Sequence, residues 1–334
     1  MVVSEHRIAV VIPCYNEATS IAKVIRDFRA ALPIADIVVF DNNSSDATAE
    51  RARAERARVV SVKLQGKGNV VRRMFADVEA DVYVMVDGDA TYDASAAPKL
   101  IATLCANGLD MVVGARISDE QQAYRLGHRF GNVMLTECAA TIFGRSFNDM
   151  LSGYRVFSRR YAKSFPAHSG GFEIETELAV HALGMRMPVA ELPTRYGSRM
   201  DDSHSKLNTY RDGARILMTI MRLFKTEKPF LFFSIGFSLC MLFSIALSLP
   251  LLTTYIETGL VPRLPTALLS VGVAILGGIL FTCGIVLDAV THGRKETKRM
   301  AYLSVPAPTF EDCPAFIRAA VNGESESVAG PGAV

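Results

Sequence analysis

From Ile8 to Val113 short apolar runs alternate with segments of helical spacing. Residues 8–12, 37–40, 82–86 and 111–113 are continuous apolar runs, the pattern of strands buried on both faces, and 59–62 is a short strand interrupted by Ser61. Between them, residues 18–32 place Ile21, Val24, Ile25 and Phe28 at helical intervals. Residues 46–57, 69–79 and 94–106 also read as helices, the first with Ser44 or Ser45 as its cap. Such alternation predicts a parallel sheet with right-handed crossovers. Beyond Gly114 the pattern is less regular, with helices expected over 124–143 and 173–183 and a strand over 187–196. Residues 207–224 carry apolar positions on one side and Arg211, Arg215 and Arg222 largely on another. A basic amphipathic segment of this kind fits a membrane interface.

The C-terminal third changes character. No charged residue occurs from Pro229 to Ile256 or from Leu264 to Leu287. Each stretch exceeds the ~20 apolar residues that span a bilayer. Arg222, Lys225 and Lys228 precede the first, and His292, Arg294, Lys295, Lys298 and Arg299 follow the second. The loop between them has Arg263 as its one basic residue. The positive-inside rule then places both ends in the cytoplasm. Met1–Arg7 shows no leader pattern, so the N-terminal part is expected there too. Asp288 is expected to snorkel at the membrane interface.

The chain has 334 residues, 50% of them hydrophobic, and a formal net charge of +2. No basic cluster with interleaved aromatics points to nucleic acid. Its six cysteines are scattered with no C-x-x-C spacing, which argues against zinc or a disulfide framework and fits a reducing compartment. Beyond Val305 the chain runs into a Gly/Ala/Pro-rich end and is expected to be largely disordered.

Candidate chemistry gathers at the C-terminal ends of the predicted strands. Residues 13–17 follow the first strand, 41–46 the second and Asp87-Gly88-Asp89 the fourth, with Arg116 just past the fifth. In an open α/β sheet that edge binds ligands. Two carboxylates two residues apart suit a hard divalent cation such as Mg²⁺, whose other positions substrate phosphates can fill. Asp-Gly-Asp is also good turn chemistry. Asp46 serves equally as a helix cap, and Glu17 as a first-turn residue facing the helix dipole. Gly66-Lys67-Gly68 lacks P-loop spacing and reads as a turn. Glu173, Glu175 and Glu177 read as partly a solvated face, and His181 and His204 as structural or surface residues.

The ordered set Pro13-Cys14-Tyr15-Asn16-Glu17, Asp41-Asn42-Asn43-Ser44-Ser45-Asp46, Gly66-Lys67-Gly68-Asn69 and Asp87-Gly88-Asp89 resembles the family 2 glycosyltransferases of GT-A fold. Asn148-Asp149-Met150-Leu151-Ser152-Gly153-Tyr154-Arg155 and Arg199…Ser205-Lys206-Leu207 extend it to the branch that loads sugars onto polyprenyl phosphates, the dolichyl-phosphate mannose synthase and bactoprenyl glucosyltransferase type. Asp41-Asn42-Asn43 stands where relatives commonly have Asp-Asp-Gly, and Asp201 and Asp202 depart from their loop.

The resemblance implies an α/β GT-A domain with a mostly parallel sheet over residues 1–206. An interfacial amphipathic helix would follow over 207–228, then a two-helix transmembrane hairpin over 229–290 and a cytoplasmic tail over 291–334. Pro13, Asn16 and Glu17 would shape the nucleotide pocket, Asp41 would meet the base, and Lys67 would lie near the donor. Asp87 and Asp89 would hold Mg²⁺ or Mn²⁺ on the diphosphate. Asp149 would sit near the sugar and acceptor, with Glu175 nearby. Arg155, Arg199 and Lys206 would bind phosphates. The expected activity is inverting transfer of a sugar from a nucleotide-sugar, UDP- or GDP-linked, to a polyprenyl (undecaprenyl) phosphate at the bacterial cytoplasmic membrane. Self-association through the two spans is a further expectation. The rivals are a processive polysaccharide synthase, disfavoured by the absence of Trp and by only two spans, and a non-catalytic membrane scaffold.

Overall fold

A computed structural model describes residues 7–117, 147–171, 173–198, 209–311 and 313–319. The helix expected at 124–143, together with Arg199, His204 and Lys206, lies outside the described residues. Packing divides the chain into one unit of residues 1–220 and 298–334 and a second of residues 221–297.

The first unit is built on a seven-stranded sheet ordered β3-β2-β1-β4-β6-β5-β7. Its strands are β1 (Ile8–Cys14), β2 (Asp36–Asp41), β3 (Arg58–Ser61), β4 (Val82–Met85), β5 (Met111–Ile117), β6 (Arg155–Ser158) and β7 (Val189–Arg195). All run parallel except β6, which lies antiparallel between β4 and β5. The sequence pattern does not announce β6: Val156 and Phe157 are its only apolar pair, behind an arginine. From β1 the chain steps outward to β2 and β3, then returns to β4 on the other side. That reversal opens a crevice at the strands' carboxyl ends.

The helices are α1 (Ile21–Ala31), α2 (Thr48–Ala54), α3 (Lys67–Asp77), α4 (Ala97–Ala106), α5 (Arg159–Ser164) and α6 (Ile174–Met185). Alternation along each strand sends successive side chains to opposite faces. Val10, Ile12, Val82, Val84 and Val156 pack with Ile25 and Phe28 of α1 and Leu100 and Ile101 of α4. Tyr83 and Phe157 point the other way, and Phe75 of α3 meets both edge-on at 5.6 and 5.5 Å.

Two sequence readings are corrected here. Neither Ser44 nor Ser45 caps α2, whose N-cap is Ala47 with no side-chain bond. Both serines instead bond Asn16 across the sheet edge. The segment past Val305 is not unstructured throughout. Cys313 and Ile317 are fully buried in the cluster that holds Ile25, Phe28 and Leu100. Tyr302 donates to the buried Asp110 carboxylate at 2.9 Å, and the Arg160 guanidinium sits 4.7 Å over its ring.

The second unit takes in the end of α7 (Thr209–Glu227), all of α8 (Pro229–Thr258) and most of α9 (Leu264–Leu303). On α7, Leu217, Met218 and Met221 are exposed while Phe224 is buried. Both α8 and α9 are long and apolar enough to cross a membrane. Core helices of a soluble domain would hide their apolar residues, whereas Leu239, Leu242, Ile256, Leu268 and Ile275 are each more than half exposed. The two helices hold each other by small residues and hydroxyls. A Cβ on Gly277 would press on Cys240, and one on Gly284 on Phe233. Ser244 donates to the Ser270 carbonyl at 2.8 Å, and the Ser248 and Ser270 hydroxyls meet at 2.6 Å. Small residues and interhelical hydroxyl bonds are the packing devices available where lipid removes the hydrophobic drive.

Candidate active site

The crevice is assembled from four strand ends and two loops. At the end of β2, Asp41 is buried and its Oδ1 has no hydrogen-bond partner among the described residues. A buried acceptor without a donor is costly, and a ligand N–H would relieve it. The next residue, Asn42, uses its whole amide. Nδ2 donates to the carbonyls of Val62 and Leu64 at 3.1 and 2.8 Å, and Oδ1 accepts from Gly66 N–H at 2.6 Å. This explains the departure from Asp-Asp-Gly, because a carboxylate could accept from Gly66 but could not donate to two carbonyls.

The loop after β1 is tied to the same edge. Asn16 stands at φ 52°, and its Oδ1 accepts from Ser45 N–H at 2.8 Å. Glu17 is buried, its N–H donating to Thr48 Oγ1 at 2.8 Å. Ser20 Oγ spans Glu17 Oε2 at 3.2 Å and the Gly88 carbonyl at 2.7 Å, which couples this loop to Asp87-Gly88-Asp89. Pro13 lies half-buried in β1. Sequence reading missed Ser20 and Thr48, since isolated hydroxyls carry no pattern.

Asp87 and Asp89 come off the end of β4. Asp89 is buried and accepts from Thr91 Oγ1 at 2.6 Å. Asp87 pairs with the Lys67 ammonium, which also lies 2.6 Å from Glu175 Oε1. Burial works against the charge of Lys67, but the two carboxylates outweigh it and hold the ammonium protonated beyond the usual lysine range. Burial, joined by the charge of Asp87, pushes the Glu175 carboxyl up against the pull of Lys67. The Lys67 turn is more than a generic one. Gly66 sits at φ 125°, a conformation other residues rarely adopt, and a Cβ there would collide with the Gly170 carbonyl. The opposing loop is fixed by Glu177, whose carboxylate accepts from His168 and Ser169 N–H at 2.8 and 2.7 Å. Glu175 and Glu177 are therefore interior residues rather than a solvated face.

Two oxygen-rich carboxylates on one turn fit a hard divalent cation. The cradle around them is cut to size: a Cβ on Gly153 would overlap the Asp87 carboxylate, and one on Gly88 would press on Cys14 Sγ.

Asp149 approaches from the loop ahead of β6. Its two oxygens accept from Arg116 Nε and Nη2, each at 2.7 Å, and Arg116 N–H adds a third bond at 3.2 Å. Burial alone would raise the Asp149 carboxyl, but these bonds and the Arg116 charge overcome it and hold it below the ordinary range. Arg116 also lies 5.6 Å over the Tyr196 ring. Tyr92 Oη accepts from Gly153 N–H at 2.8 Å.

Arg155 corrects its expected role. It is wholly buried, Nε donating to the Ser152 carbonyl at 3.0 Å and Nη2 to the Met150 carbonyl at 2.5 Å. Its guanidinium shapes the Asp149 loop from beneath rather than facing a phosphate. His181 is structural as expected, buried against Tyr161 and Phe165 with Ser164 Oγ at 3.2 Å.

The family profile described as glycosyl transferase family 2 matches residues 9–165. Glycosyltransferase AglJ of Haloferax volcanii is 38% identical over 234 residues, 69% of this chain and 77% of AglJ. The dolichyl-phosphate hexose transferase of the same organism is 29% identical over 224 residues, 66% of this chain and 95% of the relative. The solved glucosyl-3-phosphoglycerate synthase of Mycobacterium tuberculosis, in complex with Mn²⁺ and UDP-glucose, superposes with a TM-score of 0.52 at 26% identity, over 65% of this chain and 78% of that one. The mostly parallel sheet, the carboxylates at its edge and these likenesses agree: the chain belongs to glycosyl transferase family 2 and is a glycosyltransferase of GT-A-like fold.

Proposed function

We propose that this glycosyltransferase moves a sugar from a nucleotide diphosphate donor, UDP-linked in the first instance and GDP-linked otherwise, to the phosphate of a polyprenyl carrier, with inversion at the sugar carbon. The observation that carries the proposal is the meeting at one sheet edge of Asp41, Asp87, Asp89, Lys67 and the Asp149–Arg116 pair. The chain then continues into two helices long and apolar enough to cross a bilayer. The dolichyl-phosphate hexose transferase relative supports a lipid-phosphate acceptor. The solved relative with Mn²⁺ and UDP-glucose supports the donor class.

The unpartnered Asp41 oxygen would accept from the N–H edge of the base, with Asn16 and Glu17 shaping the pocket wall. Asp87 and Asp89 would hold Mg²⁺ or Mn²⁺, which when bound supplies Lewis-acid stabilisation of the leaving diphosphate. Lys67 brings a buried positive charge to the same place. Asp149, kept anionic by Arg116, would stabilise the oxocarbenium character that develops at the sugar carbon. The acceptor phosphate is already anionic near neutral pH, so Asp149 orients and stabilises rather than removing a proton. Arg199 and Lys206 are proposed as phosphate contacts. The exposed apolar residues of α7 and the basic residues flanking α8 and α9 support a catalytic domain at the cytoplasmic face of a bacterial membrane. Self-association through the spans is the remaining proposal for partners.

The test is transfer of labelled sugar from a panel of UDP- and GDP-sugars into undecaprenyl phosphate with Mg²⁺ or Mn²⁺, beside Asp89→Ala. Metal-dependent label in the lipid from one donor, lost in the folded variant, is the expected result. No nucleotide binding by the wild type would sink the reading and return the chain to a scaffold.

A further inference from the structure

Below the Asn148-Asp149 turn stands a carboxylate that the proposed reaction does not use. Glu191, on β7, accepts from Asn148 N–H at 2.9 and 2.8 Å through its two oxygens. Its Oε2 also takes Asn148 Nδ2 at 2.9 Å, and its Oε1 takes Asp149 N–H at 3.0 Å. Both oxygens are thus spent on one turn of the chain. β7 does not need them, because it is already paired along its whole length with β5, Glu191 opposite Val113. Four hydrogen bonds converge on the Glu191 carboxylate. Hydrogen bonds to an ionised acceptor are shorter and roughly twice as strong as neutral ones. Asp149 is consequently fixed twice: its backbone by Glu191 and its carboxylate by Arg116.

We infer that Glu191 is a positioning residue for sugar transfer, fixing the Asn148-Asp149 backbone so that Asp149 presents its carboxylate at one place beside the reacting carbon. The inference rests on the role proposed above for Asp149. A glutamine at 191 keeps the size but turns one acceptor into a donor that faces the same N–H groups. Small misplacements of a reacting group cost up to ~100-fold in rate.

The test uses the full chain in detergent or membranes and reads nucleotide release from the donor, with and without lipid acceptor. In Glu191→Gln, kcat falls at least ~10-fold while donor KM stays within ~3-fold, and amide exchange quickens in the 147–153 peptide alone. In an Asp149→Asn background the same substitution costs less than ~2-fold, because the group it positions is gone. Glu191→Asp, which keeps the charge, recovers part of the rate. Unchanged kcat, or a loss fully multiplicative with Asp149→Asn, overturns the inference. So does a fall in thermal midpoint with exchange quickened throughout the domain. A wild type that turns over no donor defeats the proposed function instead. Exchange then decides only whether Glu191 fixes the Asn148-Asp149 backbone: quickening confined to 147–153 upholds that fixation and unchanged exchange ends it.

Discussion

Lys67 Nζ lies 2.6 Å from Glu175 Oε1, and both side chains are almost sealed from solvent. One residue opens α3 and the other sits in the first turn of α6, so the pair ties the start of one helix to the start of the other at the crevice. Removing one partner strands the other's charge, at about 3–5 kcal/mol for a buried pair. Lys67→Met is therefore expected to destabilise the domain by about 3 kcal/mol, and Lys67→Met/Glu175→Gln to regain part of the loss. Denaturant unfolding of the wild type, Lys67→Met, Glu175→Gln and the double variant checks this. Additive losses would refute the coupling.

Gly153 is a steric requirement of the carboxylate turn. An alanine there overlaps the Asp87 carboxylate. Gly153→Ala is expected to weaken donor binding in the presence of metal at least ~10-fold, at a stability cost of about 1–3 kcal/mol, the range for overpacking a close-fitted site. Titration with a UDP-sugar by calorimetry, alongside a melting curve, measures both. Unaltered affinity would mean that Asp87 can move aside freely.

Asn42→Asp tests why this chain departs from the commoner acidic pair. The substitution strands the carbonyls of Val62 and Leu64 and places a second charge beside Asp41. A loss of about 1–3 kcal/mol follows from unsatisfied buried groups. Hydrogen exchange of the 62–68 segment should quicken in step with it. A neutral or stabilising outcome would contradict the amide's bridging role.

His181 makes stability fall on the acid side. Burial, aided by the charge of Lys298, lowers it to about 3. The ordinary imidazole value is about 6.5, so between these values the unfolded chain binds a proton that the folded one does not. The stabilisation is fully present above about pH 6.5 and is lost as pH falls below it, reaching about 2 kcal/mol by pH 5. His181→Gln should flatten the dependence of unfolding free energy on pH between 7.5 and 5. An unchanged slope would place the acid lability elsewhere.

Most strands, most helices and the sheet edge that carries the chemistry were legible because each rests on a local signal. Apolar runs mark β1, β2 and β4, helical spacing marks α1, and motifs of fixed spacing mark Asp41, Asp87, Asp89 and Asp149. The two apolar stretches announced α8 and α9 by length and lack of charge. β6 was not legible, because a strand entered through a buried arginine has no apolar run of its own.

Which residue types stand at which strand ends follows from periodicity and short motifs within one element. What those residues do to one another depends on how the elements pack. Packing sent Arg155 inward to carbonyls instead of outward to phosphate, and brought Glu175 onto Lys67 and Glu191 under Asp149. It also returned Cys313 and Ile317 to the core past the apolar helices. These are pairings between elements far apart in the chain. A charged side chain's partner is set by the packing that brings elements together, a term no local window of sequence contains.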